Sequence, residues 1–320
     1  MTDVINLFEK PKLKRPVFIA AWPGMGNVAL LAVNYLKDQL GAKILGEFPQ
    51  GQFFAPTGAL VIKQVVLAPS VPQNSFFYFQ SSSLKHDILF FVGSLQPIPH
   101  KEYDYAKKLL KVAELFDVEQ VITTAAVPTD MYFKDTPRVF AAPNHPDLLT
   151  SLMEHKVHFM GDGNIAGMNG LLISVAREMN IRGLCLLGEI PFFTAQMEFP
   201  HASLRILEVM SQILDIKIDM VDMELYVNQK EKEIAPVASL LMKEETAEEH
   251  PEDKEKPAAP AEDPVPRAAR LLIEKLFRDA EFDRTYKSKM KLKEELDRWG
   301  VFDDYLDRFL DLFKKGKEES

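Results

Sequence analysis

The sequence predicts an α/β protein with a mostly parallel sheet covered by helices, followed by a small all-α C-terminal tail. Short, continuous apolar runs such as 16–21 are typical of parallel strands that are buried on both faces. These runs alternate with segments in which apolar residues recur every three or four positions, the pattern of helices that cover such a sheet. A segment rich in acidic residues and proline, 243–266, separates this core from the last helical segments.

Each element follows from its hydrophobic pattern. The run 16–21 is the first strand, and the spacing of Val28, Leu31 and Leu36 predicts the first helix. Residues 1–14 show neither pattern and are predicted to form a loosely held lead-in. We predict further strands at 42–48, 58–68, 76–80, 87–93, 120–125, 138–142 and 183–190, and further helices at 101–116, 147–153, 168–179, 202–214 and 220–232.

The acidic segment divides the chain into a core of residues 1–242 and a tail of residues 267–320. It holds nine acidic residues and five prolines and almost no large apolar side chains, so we predict a disordered linker over 243–266. The last helix of the tail carries an apolar stripe, for which two interpretations remain open: a core of the tail itself, or a helix that binds in a partner's groove. The stripe consists of Phe302, Tyr305, Leu306, Phe309 and Phe313.

Length and composition are those of a globular protein. The 320 residues are 47% apolar, which is enough for a substantial core. The net charge of −9 argues against general nucleic-acid binding, which requires clustered Lys and Arg. No run reaches 18 apolar residues, and Cys185 is the single cysteine, so neither a membrane span nor an internal disulfide is expected. We therefore expect a cytoplasmic protein with no nucleic-acid and no membrane partner.

A glycine turn connects the first strand to the first helix. It consists of Gly24, Met25, Gly26 and Asn27. Free backbone N–H groups at such a position favour an anion. Together with Glu47, the G-x-G-x-x-A spacing also matches a dinucleotide fingerprint, which would indicate an oxidoreductase. The alternative is that the glycines only permit a tight turn with close packing.

A second glycine turn precedes the helix predicted at 168–179. In a parallel sheet both turns are expected at the carboxyl ends of the strands, where they would line one pocket. The alternative is that Asp162 and Asn164 only cap the helix or hold the turn. The further candidate ligand-binding residues of this pocket are Gly161, Gly163, Asn164, Asn169 and Glu189.

No other pattern predicts catalysis. Cys185 stands among leucines in a predicted strand, which is typical of a core cysteine rather than a nucleophile. The seven histidines show no metal-binding spacing with cysteine or carboxylate residues. We therefore predict no catalytic residue, no metal site and no cofactor.

Three short blocks occur in order along the chain, at 21–29, 167–172 and 186–191. They read Ala-Trp-Pro-Gly-Met-Gly-Asn-Val-Ala, Gly-Met-Asn-Gly-Leu-Leu and Leu-Leu-Gly-Glu-Ile-Pro. These blocks resemble the signatures of the proteasome assembly chaperone family, in the branch named for its second chaperone. The resemblance covers about residues 10–240 and does not reach the linker or the tail.

The resemblance implies an α/β sandwich similar to the nucleoside phosphorylase-like fold, usually found as an oligomer. Eukaryotic members of the family pair to help assemble the proteasome α-ring, whereas bacterial and archaeal members are mostly uncharacterised. We therefore expect a non-catalytic homo-oligomer that acts through protein–protein contacts, with proteasome-like subunits as candidate partners. The alternative is a nucleotide- or phosphate-binding protein, or an enzyme with phosphorylase- or ligase-like chemistry, that uses the glycine turns.

Overall fold

The computed structural model describes residues 5–48, 53–54, 59–67, 74–247, 267–283, 286–299, 301–302 and 305–312. The chain divides into two compact units, Met1–Thr246 and Ala247–Ser320, and each is considered by itself below.

The first unit alternates strands and helices. Its strands are β1 (Asn6–Leu7), β2 (Val17–Ala21), β3 (Lys43–Glu47), β4 (Leu60–Ile62), β5 (Val65–Leu67), β6 (Asn74–Phe79), β7 (Ile88–Gly93), β8 (Gln120–Thr129), β9 (Val139–Pro143), β10 (His158–Phe159) and β11 (Arg182–Pro191). Its helices are α1 (Val28–Gln39), α2 (Glu102–Leu115), α3 (Asp147–Leu152), α4 (Met168–Glu178), α5 (Pro200–Leu214) and α6 (Val221–Ala247). Helix α6 extends beyond the predicted end at 232 and into the segment 243–266, so the prediction of a disordered linker is wrong for 243–247. The rest of the predicted linker, 248–266, lies outside the described residues.

Within the described residues, nine of these strands form one sheet in the order β1-β3-β6-β7-β2-β8-β11-β9-β10. The four central strands, β7, β2, β8 and β11, are parallel to their neighbours in this group. Toward the edges β6 and β9 run antiparallel to the centre. The predicted helix-covered α/β sheet is therefore confirmed, with mixed pairing at its margins, because short connections such as the one between β6 and β7 can only reverse the strand direction.

Helices cover both faces of the sheet because the central strands are apolar on both faces. In β2, Val17 and Ile19 belong to the core that contains α1 and α5. The intervening Phe18, and Trp22 just after the strand, belong to the opposite core, which contains α2 and α4. All five residues of β2 are buried, as the continuous apolar run predicted.

Two segments differ from the sequence-based expectation. The predicted single strand at 58–68 contains a hairpin of β4 and β5, because Lys63 and Gln64 both have positive φ angles and reverse the chain between them. The lead-in at 1–14 is not loose throughout. Ile5 is buried, and β1 pairs antiparallel with β3 at the edge of the sheet.

The second unit is helical, with α7 (Arg267–Asp283), α8 (Tyr286–Arg298) and α9 (Leu306–Asp311). Its core buries Phe277, Leu292, Leu296 and Phe309, among others. This core includes most of the apolar stripe that the sequence analysis offered for partner binding. Phe302 packs against Phe309, and Tyr305 packs against Phe277, while Leu306 is exposed and Phe313 lies outside the described residues.

None of the helices within the described residues combines the length and the apolar character that a membrane span requires.

Candidate functional site

The first glycine turn lies at the carboxyl end of β2, in the middle of the parallel group of strands. Trp22 follows the strand and is completely buried, and Met25–Asn27 form a short 3-10 turn that leads into α1. Gly26 has a φ angle of 64° and Asn27 one of 52°, so the chain passes through two left-handed residues before the helix begins. A side chain at Gly26 would be strained in this conformation.

The backbone of this turn is bonded to the segment that follows β11. The Gly26 N–H donates to the carbonyl oxygen of Ala195 at 3.1 Å, and the Phe199 N–H donates to the carbonyl oxygen of Gly26 at 2.9 Å. The Asn27 N–H donates to the carbonyl oxygen of Gly24 at 3.1 Å. The sequence predicted that the backbone N–H groups of Gly26 and Asn27 could bind an anion. Both groups instead donate to carbonyl oxygens of the protein itself.

The Asn27 side chain connects the turn to α6 through Glu198. Its Nδ2 donates to Glu198 Oε1 at 2.7 Å, and the Tyr226 hydroxyl donates to Glu198 Oε2. The hydrogen bond from Tyr226, together with that from Asn27 and the nearby Lys230 ammonium, holds the pKa of Glu198 below its usual value despite partial burial. The carboxylate is therefore the centre of a network that ties the turn, the 195–199 segment and α6 together.

Asn169 lies in the first turn of α4 and holds Trp22 in place. The Trp22 N–H donates to Asn169 Oδ1 at 3.1 Å, and Asn169 Nδ2 donates to the Trp22 carbonyl oxygen at 3.3 Å. The Thr123 hydroxyl donates to the backbone carbonyl of Asn169 at 2.6 Å. The Asn169 residue is only 4% exposed, so its amide serves this junction rather than an open pocket.

Gln96 makes a second connection between the same two segments. Its Nε2 donates to the Pro23 carbonyl oxygen at 2.7 Å, and its Oε1 accepts the Met168 N–H at 3.0 Å. Sequence reasoning missed this residue, because nothing in its local pattern indicates partners more than seventy positions away.

Glu189 is also engaged within the protein. It is 2% exposed and forms a bidentate ion pair with Arg138, with distances of 2.9 Å from Nε to Oε2 and 2.5 Å from Nη2 to Oε1. The Thr129 hydroxyl and the Arg138 N–H also donate to it, each at 2.9 Å. Burial acts to raise the pKa of Glu189, but the bonds from Arg138 and Thr129 outweigh it and lower that pKa. Glu189 was expected to face a ligand crevice. It instead forms a buried ion pair with Arg138.

The second glycine turn lies toward the opposite end of the strands from the first. It follows β10, which is parallel to β9, and β9 runs antiparallel to β11. Gly161 and Gly163 therefore lie near the amino ends of the central strands, while Gly24 lies at their carboxyl ends. Asn164 is an exposed residue that follows this turn. The predicted pocket lined by both turns is not formed, because strand β9 reverses direction.

Gly161 and Gly163 instead line a separate cavity of about 340 Å³. Phe159, Ile165 and the guanidinium-bearing Arg177 also line it. The Arg177 side chain is exposed, and no hydrogen bond or ion pair of its guanidinium is found within the described residues. At this cavity a predicted glycine turn borders open space together with a cation.

The positions of Glu47 and Cys185 bear on the chemical alternatives. Glu47 ends β3, which is separated from β2 by β6 and β7, about 14 Å at the usual strand spacing. A dinucleotide fingerprint requires this carboxylate to lie beside the first strand. Because Glu47 lies elsewhere in the sheet, the dinucleotide interpretation is wrong. Cys185 is fully buried, and burial raises the pKa of its thiol to about 12, which fits a core residue. The described residues contain no group of three or more His, Cys, Asp or Glu side chains that could hold a metal ion.

The model of the PAC2 family matches residues 18–238, more than half of the chain. The chain belongs to the PAC2 family. This PAC2-family chain is 25% identical over 215 residues to an uncharacterised protein of Methanocaldococcus jannaschii, MJ1210, a match that covers 66% of this chain and 79% of that one.

Solved structures with the same fold bear out the resemblance to proteasome assembly chaperones. Pyrococcus furiosus PbaB, described as an archaeal proteasome activator, is 26% identical with a TM-score of 0.64, covering 73% of this chain and 98% of PbaB. Pyrococcus furiosus PbaA, described as an archaeal homologue of proteasome-assembly chaperone, is 21% identical with a TM-score of 0.57, covering 75% of this chain and 99% of PbaA. Mycobacterium tuberculosis Rv2125, described as a proteasome-assembly chaperone homologue, is 18% identical with a TM-score of 0.59. The match covers 73% of this chain and 97% of Rv2125.

The three blocks that carry the family resemblance meet at one junction of this PAC2-family fold. The first and second blocks are bonded through Trp22 and Asn169. The first block is also bonded to the segment that follows the third, through Gly26 and Phe199. Residues that resemble a ligand-binding motif in sequence therefore connect three distant parts of the chain.

Proposed function

We propose that this PAC2-family protein is a cytoplasmic homo-oligomer that acts without catalysis, by binding proteasome subunits through its surface. The similarity to PbaB, described as a proteasome activator, and to PbaA, described as a homologue of proteasome-assembly chaperone, supports this partner class. In this proposal the segment 248–266, which lies outside the described residues, tethers the helical tail, and Leu306 of the tail is exposed for a partner.

One observation carries the proposal. Three polar groups predicted to bind a ligand at the carboxyl ends of the strands are bonded within the protein. Gly26 is bonded to Ala195, Asn169 to Trp22 and Glu189 to Arg138. Polar groups arranged in this way rigidify a fold, whereas a reaction centre requires groups free to contact a substrate. A rigid core that presents surfaces is the arrangement expected of a protein that positions its partners.

The test mixes the purified full-length chain with proteasome α subunits encoded in the same genome and separately with the assembled proteasome core. We expect light scattering to give a mass that is a multiple of 36.3 kDa for the chain alone. We expect co-elution with the α subunits and a faster appearance of assembled particles, or co-elution with the assembled core. A protein of similar size and charge serves as the control. Neither co-elution nor a change in assembly rate would overturn the partner class, and a monomeric mass would overturn the oligomer.

The cavity beside the second glycine turn favours small-molecule binding as a second candidate function. It combines the exposed guanidinium of Arg177 with the aromatic ring of Phe159, a set suited to an anionic ligand with an apolar or planar body. We expect millimolar nucleotide to raise the melting temperature of the parent protein and to leave that of Arg177→Gln unchanged. Arg182→Gln, which removes an exposed arginine paired with Asp147, is the matched control and should respond like the parent. No shift with nucleotides or inorganic phosphate would remove this candidate.

A further inference from the structure

A groove runs along the outer side of α1, beside the beginning of α6. Its volume is about 390 Å³, and it is open to solvent on one side. The α1 residues that line it recur at three- and four-residue spacing from Asn27 to Asp38, so they form one continuous stripe. Eleven residues of helix extend over about 16 Å, which matches about three turns of a second helix laid along the stripe.

The floor of the groove is apolar. Leu30 and Leu31 of α1 are half-buried, and Met223 of α6 closes the floor from the other side. The neighbouring surface of α6 exposes Val221 at 55% and Leu225 at 61%, four residues apart on one helix face. Large apolar side chains at helical spacing beside a groove are typical of helix-in-groove recognition.

The charged side chains that line the groove are acidic, and the ammonium of Lys230 lies over the ring of Tyr226 at its α6 side. Apart from tyrosines, the ionisable side chains that line it in the described residues are the carboxylates of Asp38 and Asp222. Asp38 is 72% exposed and lies 3.0 Å from Lys37, whose own side chain is 15% exposed and covers the Phe77 ring instead of the groove. Burial raises the pKa of Tyr35, and the carboxylates of Asp222 and Asp219 raise it further, as expected where negative charges converge.

We propose that this groove binds a basic amphipathic helix of a partner protein, with an apolar anchor on Leu30 and Leu31 and lysine or arginine residues beside Asp38 and Asp222. Charge complementarity selects a basic occupant, because the charged side chains that line the groove are the carboxylates of Asp38 and Asp222. The inference rests on the proposed function only in that the protein acts by binding other proteins. It adds the surface used and the chemistry of the segment that is recognised.

The test uses a fluorescent 18-residue helical peptide with leucine along one face and lysine elsewhere, and a matched peptide with glutamate in place of lysine. Anisotropy at low salt measures binding to the full-length parent, to Asp38→Lys/Asp222→Lys and to Asp38→Asn/Asp222→Asn. Both aspartates are exposed, so these variants are expected to fold, which circular dichroism checks. A control variant, Glu154→Lys/Asp162→Lys, changes the net charge by the same amount at exposed positions away from the groove.

We expect the lysine peptide to bind the parent about tenfold more tightly than the charge-reversed groove variant, with the asparagine variant between them. The control variant should bind within about twofold of the parent. Equal weakening by the control, or equal binding of the glutamate peptide, would overturn the proposal, because the attraction would then be non-specific. Dissociation of the oligomer in the groove variant would also overturn it and identify the groove as a contact between copies. Since no proteasome subunit is present, failure here is distinct from failure of the proteasome test.

Discussion

Replacing Asn169 with alanine is expected to lower the free energy of unfolding by about 3 kcal/mol. The substitution removes the partners of both the N–H and the carbonyl oxygen of Trp22, a residue with no exposed surface. A buried backbone group left without a partner costs about 1–3 kcal/mol, and here two are affected by one change. Urea unfolding followed by tryptophan fluorescence measures the loss.

Two further variants make this result specific. Asn164→Ala removes an exposed amide five positions earlier and is expected to change stability by less than about 0.5 kcal/mol. Asn169→Asp retains an acceptor for the Trp22 N–H but loses the donor to its carbonyl oxygen, so it should be strongly destabilised as well. An unfolding midpoint for Asn169→Ala equal to that of the parent would contradict the structural role and return Asn169 to the list of ligand contacts.

Replacing Arg138 with methionine is expected to lower stability by about 2 kcal/mol at neutral pH. The change leaves the Glu189 carboxylate buried without its counter-charge. The loss is smaller than the 3–5 kcal/mol typical of a fully buried pair, because Arg138 is half-exposed and the bonds from Thr129 and the Arg138 N–H remain. Arg15→Met, which breaks an exposed ion pair with Glu119 at 2.6 Å, is the matched control and should cost at most about 1 kcal/mol.

The ion pair between Arg138 and Glu189 also predicts how the stability of parent and variant depends on pH. In the parent the pKa of Glu189 is lowered by folding. The ionised carboxylate therefore stabilises the folded state above the ordinary pKa of 4.5, and this stabilisation is lost as the pH falls through the pKa of the folded state. In Arg138→Met burial prevails and raises that pKa, so the variant loses stability as the pH rises through 4.5. The difference between parent and variant should be largest near about pH 7 and shrink toward about pH 4. A difference that stays constant over this range would argue against the buried ion pair.

The polar connections of the candidate site depend on residues far apart in the chain. Trp22 and Asn169 are separated by 147 positions, and Arg138 and Glu189 by 51. Sequence reasoning singled out Asn169 and Glu189 as polar residues at the ends of elements, but assigned them to a ligand because their partners leave no local pattern. Arg138 was missed for the same reason.

The sequence by itself determined the α/β class, the order of most elements, the family and the helical character of the C-terminal tail. Strand burial and helical faces are local properties, so hydrophobic periodicity over a few residues is enough to specify them. Only the tertiary structure decided the strand directions and the partners of the polar groups. The reversal of β9 moves Gly161 to the edge opposite Gly24, and the amide of Asn169 satisfies the buried backbone of Trp22. Neither result follows from periodicity, because strand order and hydrogen-bond partners are set by contacts between segments distant in the chain.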